Sequence, residues 1–237
     1  MTERGETQVS RSSHIYKIAS SQIEQTGDKL IFDINETSVP LPRALRGRVT
    51  VDMPYCHDHT YDLSEAGGHI WRPICPTARV NVEFDQPGLN WSGHGYVDMN
   101  LGDGPIEQAF DFWDWSRQPI ADDGTRIRYV TNPAGEEERS LGVEFGSDGS
   151  VREVDLEPGC PLPSTPIWRI KRRSGLFEGE APKIVKTLED TPFYSRSIMS
   201  YPSAPERLAV HESLSGPRLA HPVVKCLLPF RMPRWPL

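Results

Sequence analysis

Short segments that alternate hydrophobic and polar residues run through most of the chain. Residues 29–34, 48–51, 78–84 and 125–130 show this pattern most clearly. A period of two places the apolar side chains on one face of a β-strand. Gly, Pro, Asn and Asp separate these segments and are typical of turns. The pattern predicts a meandering antiparallel β-protein of short strands, which is the signature of a β-sandwich or β-barrel.

One predicted hairpin bears on function. Residues 85–88 form a turn signal, after which residues 89–97 are expected to run back antiparallel to residues 78–84. This hairpin would bring residues 69–71 and 96–98 into the same neighbourhood. Further strands are predicted at 141–145, 151–156, 168–173, 183–188, 193–199 and 208–214.

Composition and charge narrow the class of protein. The chain has 22 prolines and 19 glycines, which break up any long helical pattern. Its 26 basic and 33 acidic residues give a net charge of −7, which argues against nucleic acid as a partner. Residues 1–10 lack the apolar centre of a signal peptide, and no segment approaches the roughly 18 apolar residues of a membrane span. We expect a cytoplasmic protein, either soluble or peripheral on the inner or intracytoplasmic membrane.

Metal-ligating residue types do not fall into a known spacing. The cysteines at 56, 75, 160 and 226 form no C-x-x-C pair and are expected to be free thiols. His57 and His59 stand two residues apart, but no third ligand follows at a usual distance. No metal site is expected.

The segment 91–117 concentrates residues that can carry chemistry. Tyr96 and Asp98 are two residues apart, so on an extended strand their side chains point to one face. His94 shares that parity. The neighbouring carboxylates are expected to face solvent or to cap turns: Asp103, Glu107, Asp111 and Asp114.

His69 and Trp71 form a second pair with the same spacing. His94, Tyr96 and Asp98 would give one face an imidazole, a phenol and a carboxyl group beside large aromatic surfaces, a combination that suits acid–base chemistry on an apolar molecule. The same residue types also serve core packing and tight turns in β-barrels. Residue types alone leave both interpretations open.

Several long motifs resemble the carotenoid 1,2-hydratases, also called hydroxyneurosporene synthases. They are G-G-H-I-W-R-P-I-C-P-T-A-R-V at 67–80, P-G-L-N-W-S-G-H-G-Y-V-D-M-N-L-G-D-G-P at 87–105, W-D-W-S-R at 113–117, T-L-E-D-T-P-F-Y-S-R-S at 187–197, A-V-H-E-S-L-S at 209–215 and L-P-F-R-M-P-R at 228–234. The resemblance covers nearly the whole chain. It implies an all-β fold of lipocalin-like antiparallel barrels or sandwiches in tandem.

The resemblance also implies a domain organisation. We expect residues 1–75 to be the remainder of an N-terminal lipocalin-like domain and residues 76–237 to be a C-terminal one. In the family a further segment precedes the stretch that resembles residues 1–5. The N-terminal domain is therefore expected to be incomplete, with an exposed sheet edge.

The activity implied by the resemblance is the addition of water across the terminal 1,2 double bond of an acyclic carotenoid of the lycopene or neurosporene type. By matched motif, the catalytic residues fall on Asp98, His69, Trp71 and Tyr96. An unactivated alkene must first be protonated, and burial keeps a carboxyl group neutral by raising its pKa. We assign this role to Asp98.

The remaining steps follow from the tertiary carbocation that protonation creates. The faces of Trp71 and Tyr96 would hold it, an attraction of about 2 kcal/mol or more when desolvated. His69 or the Asp98 carboxylate would take the proton of the attacking water. This chemistry requires no metal, flavin or nicotinamide, so no cofactor is expected.

Two other functions stay open. A non-catalytic lipocalin-like carrier of an apolar ligand would use the same aromatic residues as a cavity lining. A cofactor-free pericyclase of the same superfamily would need a pocket shaped for a compact polyene.

The C-terminal segment 223–237 mixes large apolar residues with Lys225, Arg231 and Arg234. It suits either contact with a membrane surface or a final strand that closes a barrel. The expected partners are therefore the carotenoid, water and a membrane surface, and not nucleic acid.

Overall fold

The computed structural model describes residues 2–38, 41–228 and 232–233. In chain order the strands are β1 (Thr2–Glu3), β2 (Val9–Arg11), β3 (Ile15–Ile18), β4 (Ser21–Thr26), β5 (Lys29–Thr37), β6 (Ala44–Asp52), β7 (Tyr61–Asp62), β8 (His69–Cys75), β9 (Arg79–Gln86), β10 (Leu89–His94), β11 (Val97–Gly102), β12 (Phe110–Pro119), β13 (Thr125–Pro133), β14 (Arg139–Phe145), β15 (Val151–Glu153), β16 (Gly159–Leu162), β17 (Arg172–Gly175), β18 (Lys183–Asp190), β19 (Tyr194–Tyr201), β20 (Ala204–Ser215) and β21 (Met232–Pro233). The helices are short: α1 (Ile106–Ala109), α2 (Gly216–Ala220), α3 (Pro222–Leu227) and the 3₁₀ helices Glu6–Gln8 and Ala121–Asp123.

The predicted all-β class is confirmed. The hairpin pairs β9–β10, β12–β13, β13–β14 and β19–β20 are all antiparallel, and β1 with β21 is a parallel pair. The chain divides into two compact units, each assembled from segments that are separate in the sequence. The predicted domain division at residues 75 and 76 stays a prediction.

The first unit contains the described residues of 1–56, 75–97 and 229–237. Its main feature is a seven-stranded sheet in the order β10-β9-β6-β5-β4-β3-β2. The alternating segments at 29–34, 48–51 and 78–84 lie in β5, β6 and β9, as predicted. Their inward residues pack on a core of buried side chains: Val51, Met53, Cys75 and Ala78.

The second unit contains residues 57–74 and 98–228. Its seven-stranded sheet has the order β15-β14-β13-β12-β20-β19-β18, so β12 is the central strand. A three-stranded sheet, β11-β8-β7, and the β16–β17 pair complete it. The predicted strand at 125–130 and the predicted hairpin at 141–156 are confirmed as β13 and as β14 with β15.

The segment 168–173 differs from its prediction as one strand. Residues 166–168 form a turn, and β17 begins only at Arg172. Asp190 stabilises this turn, since its Oδ2 accepts the backbone N–H of Ile167 at 2.7 Å. Arg169 has a φ of +55°, which a continuous strand does not accommodate. Hydrogen bonds to Asp190 therefore override the alternation of apolar and basic residues.

The structure describes residues 223–228 and 232–233 of the C-terminal segment. Its residues 229–231 and 234–237, with Arg231 and Arg234, lie outside the described residues. Before them, α3 carries Lys225, whose Nζ lies 2.9 Å from Oε1 of Glu107. None of the helices in the described ranges has the length and apolar character needed to cross a membrane. Membrane contact by residues 223–237 stays a prediction.

Asp114 lies in the interior, contrary to the expectation of a solvent-facing or turn position. Its side chain is 1% exposed because residues 114–118 of the central strand are buried on both faces of the sheet. Ser213 donates to Oδ1, His211 Nε2 lies 3.4 Å from Oδ1, and Arg173 Nε lies 3.3 Å from Oδ2. A buried carboxylate is tolerated only with such partners.

We predict that Asp114→Ala lowers the free energy of unfolding by about 3–5 kcal/mol, because it leaves buried polar partners unpaired. Denaturant unfolding measures the change. Asp111→Ala is the matched control, an exposed aspartate on the same strand, and should stay within about 0.5 kcal/mol. A small loss for Asp114→Ala would show that the network contributes little.

Glu144 gives a pH-dependent prediction. Burial alone would raise the pKa of its carboxyl group, but hydrogen bonds from Arg126 and Arg152 outweigh burial and bring the pKa below the ordinary 4.5. The stability that this group contributes is therefore present above the ordinary pKa and lost as the pH falls through the folded-state pKa.

Denaturant unfolding of the wild type and Glu144→Gln between about pH 7 and about pH 3 tests this. The wild type should be the more stable of the two at neutral pH, and the difference should shrink in acid. A difference that stays constant with pH would contradict the assignment.

Candidate functional site

The strands that hold His69, Trp71 and Asp98 are neighbours. His69 and Trp71 lie on β8, Asp98 lies on β11, and β8 pairs with both β11 and β7. The predicted proximity of residues 69–71 to Asp98 is thus confirmed. The indole Nε1 of Trp71 donates a hydrogen bond to Oδ2 of Asp98 at 3.0 Å.

Trp71 belongs to a row of four packed rings. Its side chain is fully buried, and its ring centroid lies 5.2 Å from that of Tyr61 and 5.6 Å from that of Tyr129. Trp113 packs edge-on against Tyr129 at 6.0 Å. We call Tyr61, Trp71, Tyr129 and Trp113 the aromatic row. It surrounds the donor of the Asp98 hydrogen bond with apolar surface.

His69 lies against the backbone of β11. A Cβ at Gly102 would stand 2.5 Å from the imidazole Cε1 and Nδ1, so only glycine leaves room for the ring. The ring of Phe110 meets the imidazole edge-on at 5.0 Å and lies 6.4 Å from Trp113. His69 is therefore linked by packing to the same aromatic row, and its proposed proton transfer stays a prediction.

Tyr96 is half-buried and lies just before β11. β10 ends at His94, and two residues outside any strand separate it from Val97, where β11 begins. The parity that relates His94 to Asp98 therefore does not continue through this break. His94 lies on the other strand, 3.2 Å from Nη1 of Arg79. The catalytic role of Tyr96 stays a prediction.

Tyr129 shares the electrostatic environment of Asp98. Burial raises the pKa of its phenol, and the negative charge of Glu212 raises it further. The phenol is therefore a neutral hydrogen-bond donor. Its hydroxyl donates to Oδ1 of Asn100 at 3.3 Å.

A cavity of about 270 Å³ borders the aromatic row at Tyr61 and Tyr129. Its other lining residues are mostly polar: Thr60, Asp62, Leu63, Thr131, Arg139, Ser140, Leu141 and Glu153. A water molecule occupies about 30 Å³ of liquid, so this space suits several waters better than a long apolar chain. A larger cavity of about 630 Å³ opens beside Arg128 and Arg173, and its lining includes no residue of the aromatic row.

The histidines at 57 and 59 do not form part of a metal cluster. Across residues 2–38, 41–228 and 232–233, no three His, Cys, Asp or Glu side chains are arranged to hold an ion. His57 is buried and packs against Phe145 with ring centroids 5.2 Å apart. Burial, and then the proximity of His59, lower the pKa of His57.

Four residues near Asp98 or in the aromatic row carry no sequence signal that marks them as site residues: Tyr61, Asn100, Trp113 and Tyr129. A partial signal exists for Tyr129, which lies on the apolar face of the alternating strand β13. Trp113 belongs to the W-D-W-S-R motif, but the motif does not say which ring it contacts. These contacts depend on strand register, which the residue pattern leaves open.

Relatives include the acyclic carotenoid 1,2-hydratases of Thiocapsa roseopersicina, 43% identical over 235 residues, and Rubrivivax gelatinosus, 39% identical over 235 residues. Each of these alignments covers 99% of this chain and 58% of the relative, so the chain spans somewhat over half the length of both. The enzyme of the same name from Cereibacter sphaeroides is 33% identical, with 100% of this chain and 84% of the relative aligned.

Two solved structures resemble the fold at low sequence identity. A protein described as an AttH from Nitrosomonas europaea has a TM-score of 0.60 at 11% identity, covering 89% of this chain and 72% of that one. Kievitone hydratase from Nectria haematococca has a TM-score of 0.57 at 12% identity, covering 84% and 70%. At these identities the likeness supports the lipocalin-like fold alone.

The family described as Carotenoid hydratase CrtC matches residues 1–236, nearly the whole chain. This match agrees with the identities to the three hydratases. The chain therefore belongs to the carotenoid hydratase family.

Proposed function

We propose that the protein adds water to the terminal 1,2 double bond of an acyclic carotenoid, with Asp98 as the general acid. The observation that carries the proposal is the hydrogen bond from Trp71 Nε1 to Asp98 Oδ2, at 3.0 Å and within a row of aromatic rings. The activity in the names of three relatives supports the choice of substrate.

The indole fixes which carboxyl oxygen can deliver the proton. An indole N–H is a donor only, so Oδ2 of Asp98 must accept. The carbonyl oxygen of a neutral carboxyl group is the better acceptor, so we propose that Oδ2 is the carbonyl oxygen and that Oδ1 carries the proton delivered to the alkene. After proton transfer the same N–H stabilises the new carboxylate, which lowers the barrier to the step.

The reaction proceeds by protonation of the alkene and then by addition of water. The π electrons of the double bond take the proton from Oδ1 and form a C–H bond at C2, which leaves a tertiary cation at C1. The oxygen of a water molecule forms a bond to C1, and its extra proton returns to the Asp98 carboxylate, either directly or by way of His69. The product is a tertiary alcohol, and Asp98 ends the cycle protonated.

Aromatic faces are the proposed means of holding the cation. The quadrupole of a tryptophan or tyrosine face attracts a desolvated cation by about 2 kcal/mol or more. Trp71 lies at the acid itself, and Tyr96 precedes the strand that carries it. The polar cavity at Tyr61 and Tyr129 is a source of water next to this apolar surface.

A carrier of an apolar ligand is the main competing function, and a pericyclase is another. A carrier would use the aromatic row but needs no acid. A pericyclase would rearrange a compact polyene without adding water. A carrier releases its ligand unchanged, and a pericyclase gives a product of unchanged mass. Only a hydratase gives a product heavier by one water.

We predict that incubation with lycopene or neurosporene yields a product heavier by one water. Asp98→Asn keeps the size of the side chain and removes the acidic proton, so the rate should fall by about 10²–10⁴ or more. Mass spectrometry of extracted carotenoids measures both. Asp111→Asn, at an exposed aspartate, is the control and should keep the wild-type rate. Near-normal hydration by a folded Asp98→Asn protein would overturn the assignment.

Trp71→Phe tests the indole N–H separately from the ring. Phenylalanine keeps an aromatic side chain against Tyr61 and Tyr129 but cannot donate to Asp98. Loss of a hydrogen bond to a charged group should lower kcat by about 10- to 100-fold with little change in KM. Steady-state kinetics measure this, and Trp168→Phe, at a half-exposed indole, is the control. An unchanged kcat would mean that the N–H does not assist the acid.

A further inference from the structure

We propose that Tyr129 is a positioning residue, which together with Asn100 and Trp71 holds the Asp98 carboxyl group in its proton-donating orientation. This inference rests on the proposed function of Asp98. Tyr129 and Asn100 are not among the catalytic residues that the sequence motifs imply.

The inference begins with two hydrogen bonds on one strand. Asp98 and Asn100 are two residues apart on β11, so their side chains lie on the same face. Asp98 accepts from Trp71 Nε1 at 3.0 Å, and Asn100 Oδ1 accepts from the Tyr129 hydroxyl at 3.3 Å. The rings of the two donors pack against each other at 5.6 Å. We call these four side chains the clamp.

Tyr129 is the rigid member of the clamp. It lies on β13 between two paired strands, opposite Trp115 of β12 and Leu141 of β14. Its side chain is 3% exposed, and Trp113 closes its other side at 6.0 Å. Burial raises the pKa of its phenol, so the hydroxyl keeps its proton and remains a donor. By contrast, Asn100 is exposed and depends on this bond for its orientation.

The clamp matters because proton transfer to carbon is sensitive to distance and angle. A misplacement of about 1 Å can cost roughly 10²-fold in rate. The Trp71 bond fixes one oxygen of Asp98, but the indole and strand β11 must themselves stay in place. Tyr129 restrains both, because its ring packs on the indole and its hydroxyl holds the strand two residues beyond the acid.

Tyr129 also lines the polar cavity, so a second role has to be separated from positioning. A residue that controls water supply would act only after the cation has formed. Deuterium oxide distinguishes the two steps. When Asp98 delivers a deuteron to C2, the cation either takes up water or loses the original hydrogen and returns as a labelled alkene. Positioning affects both outcomes equally, whereas water supply affects hydration alone.

The experiment compares Tyr129→Phe, Tyr129→Leu, Asn100→Ala and the double variant Tyr129→Phe/Asn100→Ala. With lycopene in deuterium oxide, mass spectrometry follows hydrated product and labelled alkene. Loss of one neutral hydrogen bond should lower kcat about 3- to 10-fold in Tyr129→Phe, with KM unchanged. Tyr129→Leu, which also loses the ring, should lose about 10²-fold. The double variant should be no worse than the more impaired single one, since both remove the same bond.

Tyr201→Phe is the matched control. Tyr201 is also buried, and its hydroxyl donates to the Gly175 carbonyl at 3.1 Å, outside the clamp. It should keep the wild-type kcat, and thermal melting should show that every variant is folded.

The inference is overturned if folded Tyr129→Leu keeps kcat within about twofold of wild type, or if the losses of the two single variants add fully in the double variant. A fall in hydration while labelling continues would also overturn it, in favour of control of water. If the wild type gives neither hydration nor labelling, the proposed function itself is wrong. If the wild type hydrates the substrate normally and Tyr129→Leu is unaffected, only the proposal of the clamp is wrong.

Discussion

Two carboxyl groups of the second unit, Asp114 and Asp98, accept hydrogen bonds from side chains on other strands. Asp114 sits on the central strand β12 with almost no exposure, and its partners come from β20 and β17. One of those partners is the guanidinium of Arg173, which is positively charged. Asp98 accepts a hydrogen bond from the indole of Trp71 in an aromatic setting. The Asp114 network links β12 to β17 and β20, and the Trp71–Asp98 bond links β8 to β11.

Much of this fold follows from local pattern. Alternation identifies β5, β6, β9 and β13, and turn residues identify the β9–β10 and β14–β15 hairpins. These are contacts between neighbours in sequence, where loop chemistry determines the pairing. The prediction of one strand at 168–173 is wrong because a distant carboxylate, that of Asp190, stabilises a turn at its start. That contact spans more than twenty residues, and nothing in the local pattern signals it.

The candidate site divides in the same way. Parity along β8 correctly pairs His69 with Trp71, and a hairpin argument brings them near Asp98. Parity does not continue across the break between β10 and β11, so it does not relate His94 to Asp98. The sequence pattern does not indicate Tyr129 as a site residue, because its contacts depend on where the seven-stranded sheet of the second unit meets β8 and β11. The expectation that Asp114 faces solvent is wrong, because an alternating pattern predicts a strand with one solvent-exposed face. Residues 114–118 of β12 are buried on both faces.

The protonation state of Asp98 tests the account most directly. A hydratase needs a neutral carboxyl group in the resting protein, whereas a carrier does not. Infrared difference spectroscopy between the wild type and Asp98→Asn at neutral pH detects the carbonyl stretch of a protonated carboxyl group by its shift in deuterium oxide. We expect this band in the wild type, absent from Asp98→Asn and displaced in Trp71→Phe. A wild-type spectrum that shows only the carboxylate bands of Asp98 would contradict its assignment as the acid.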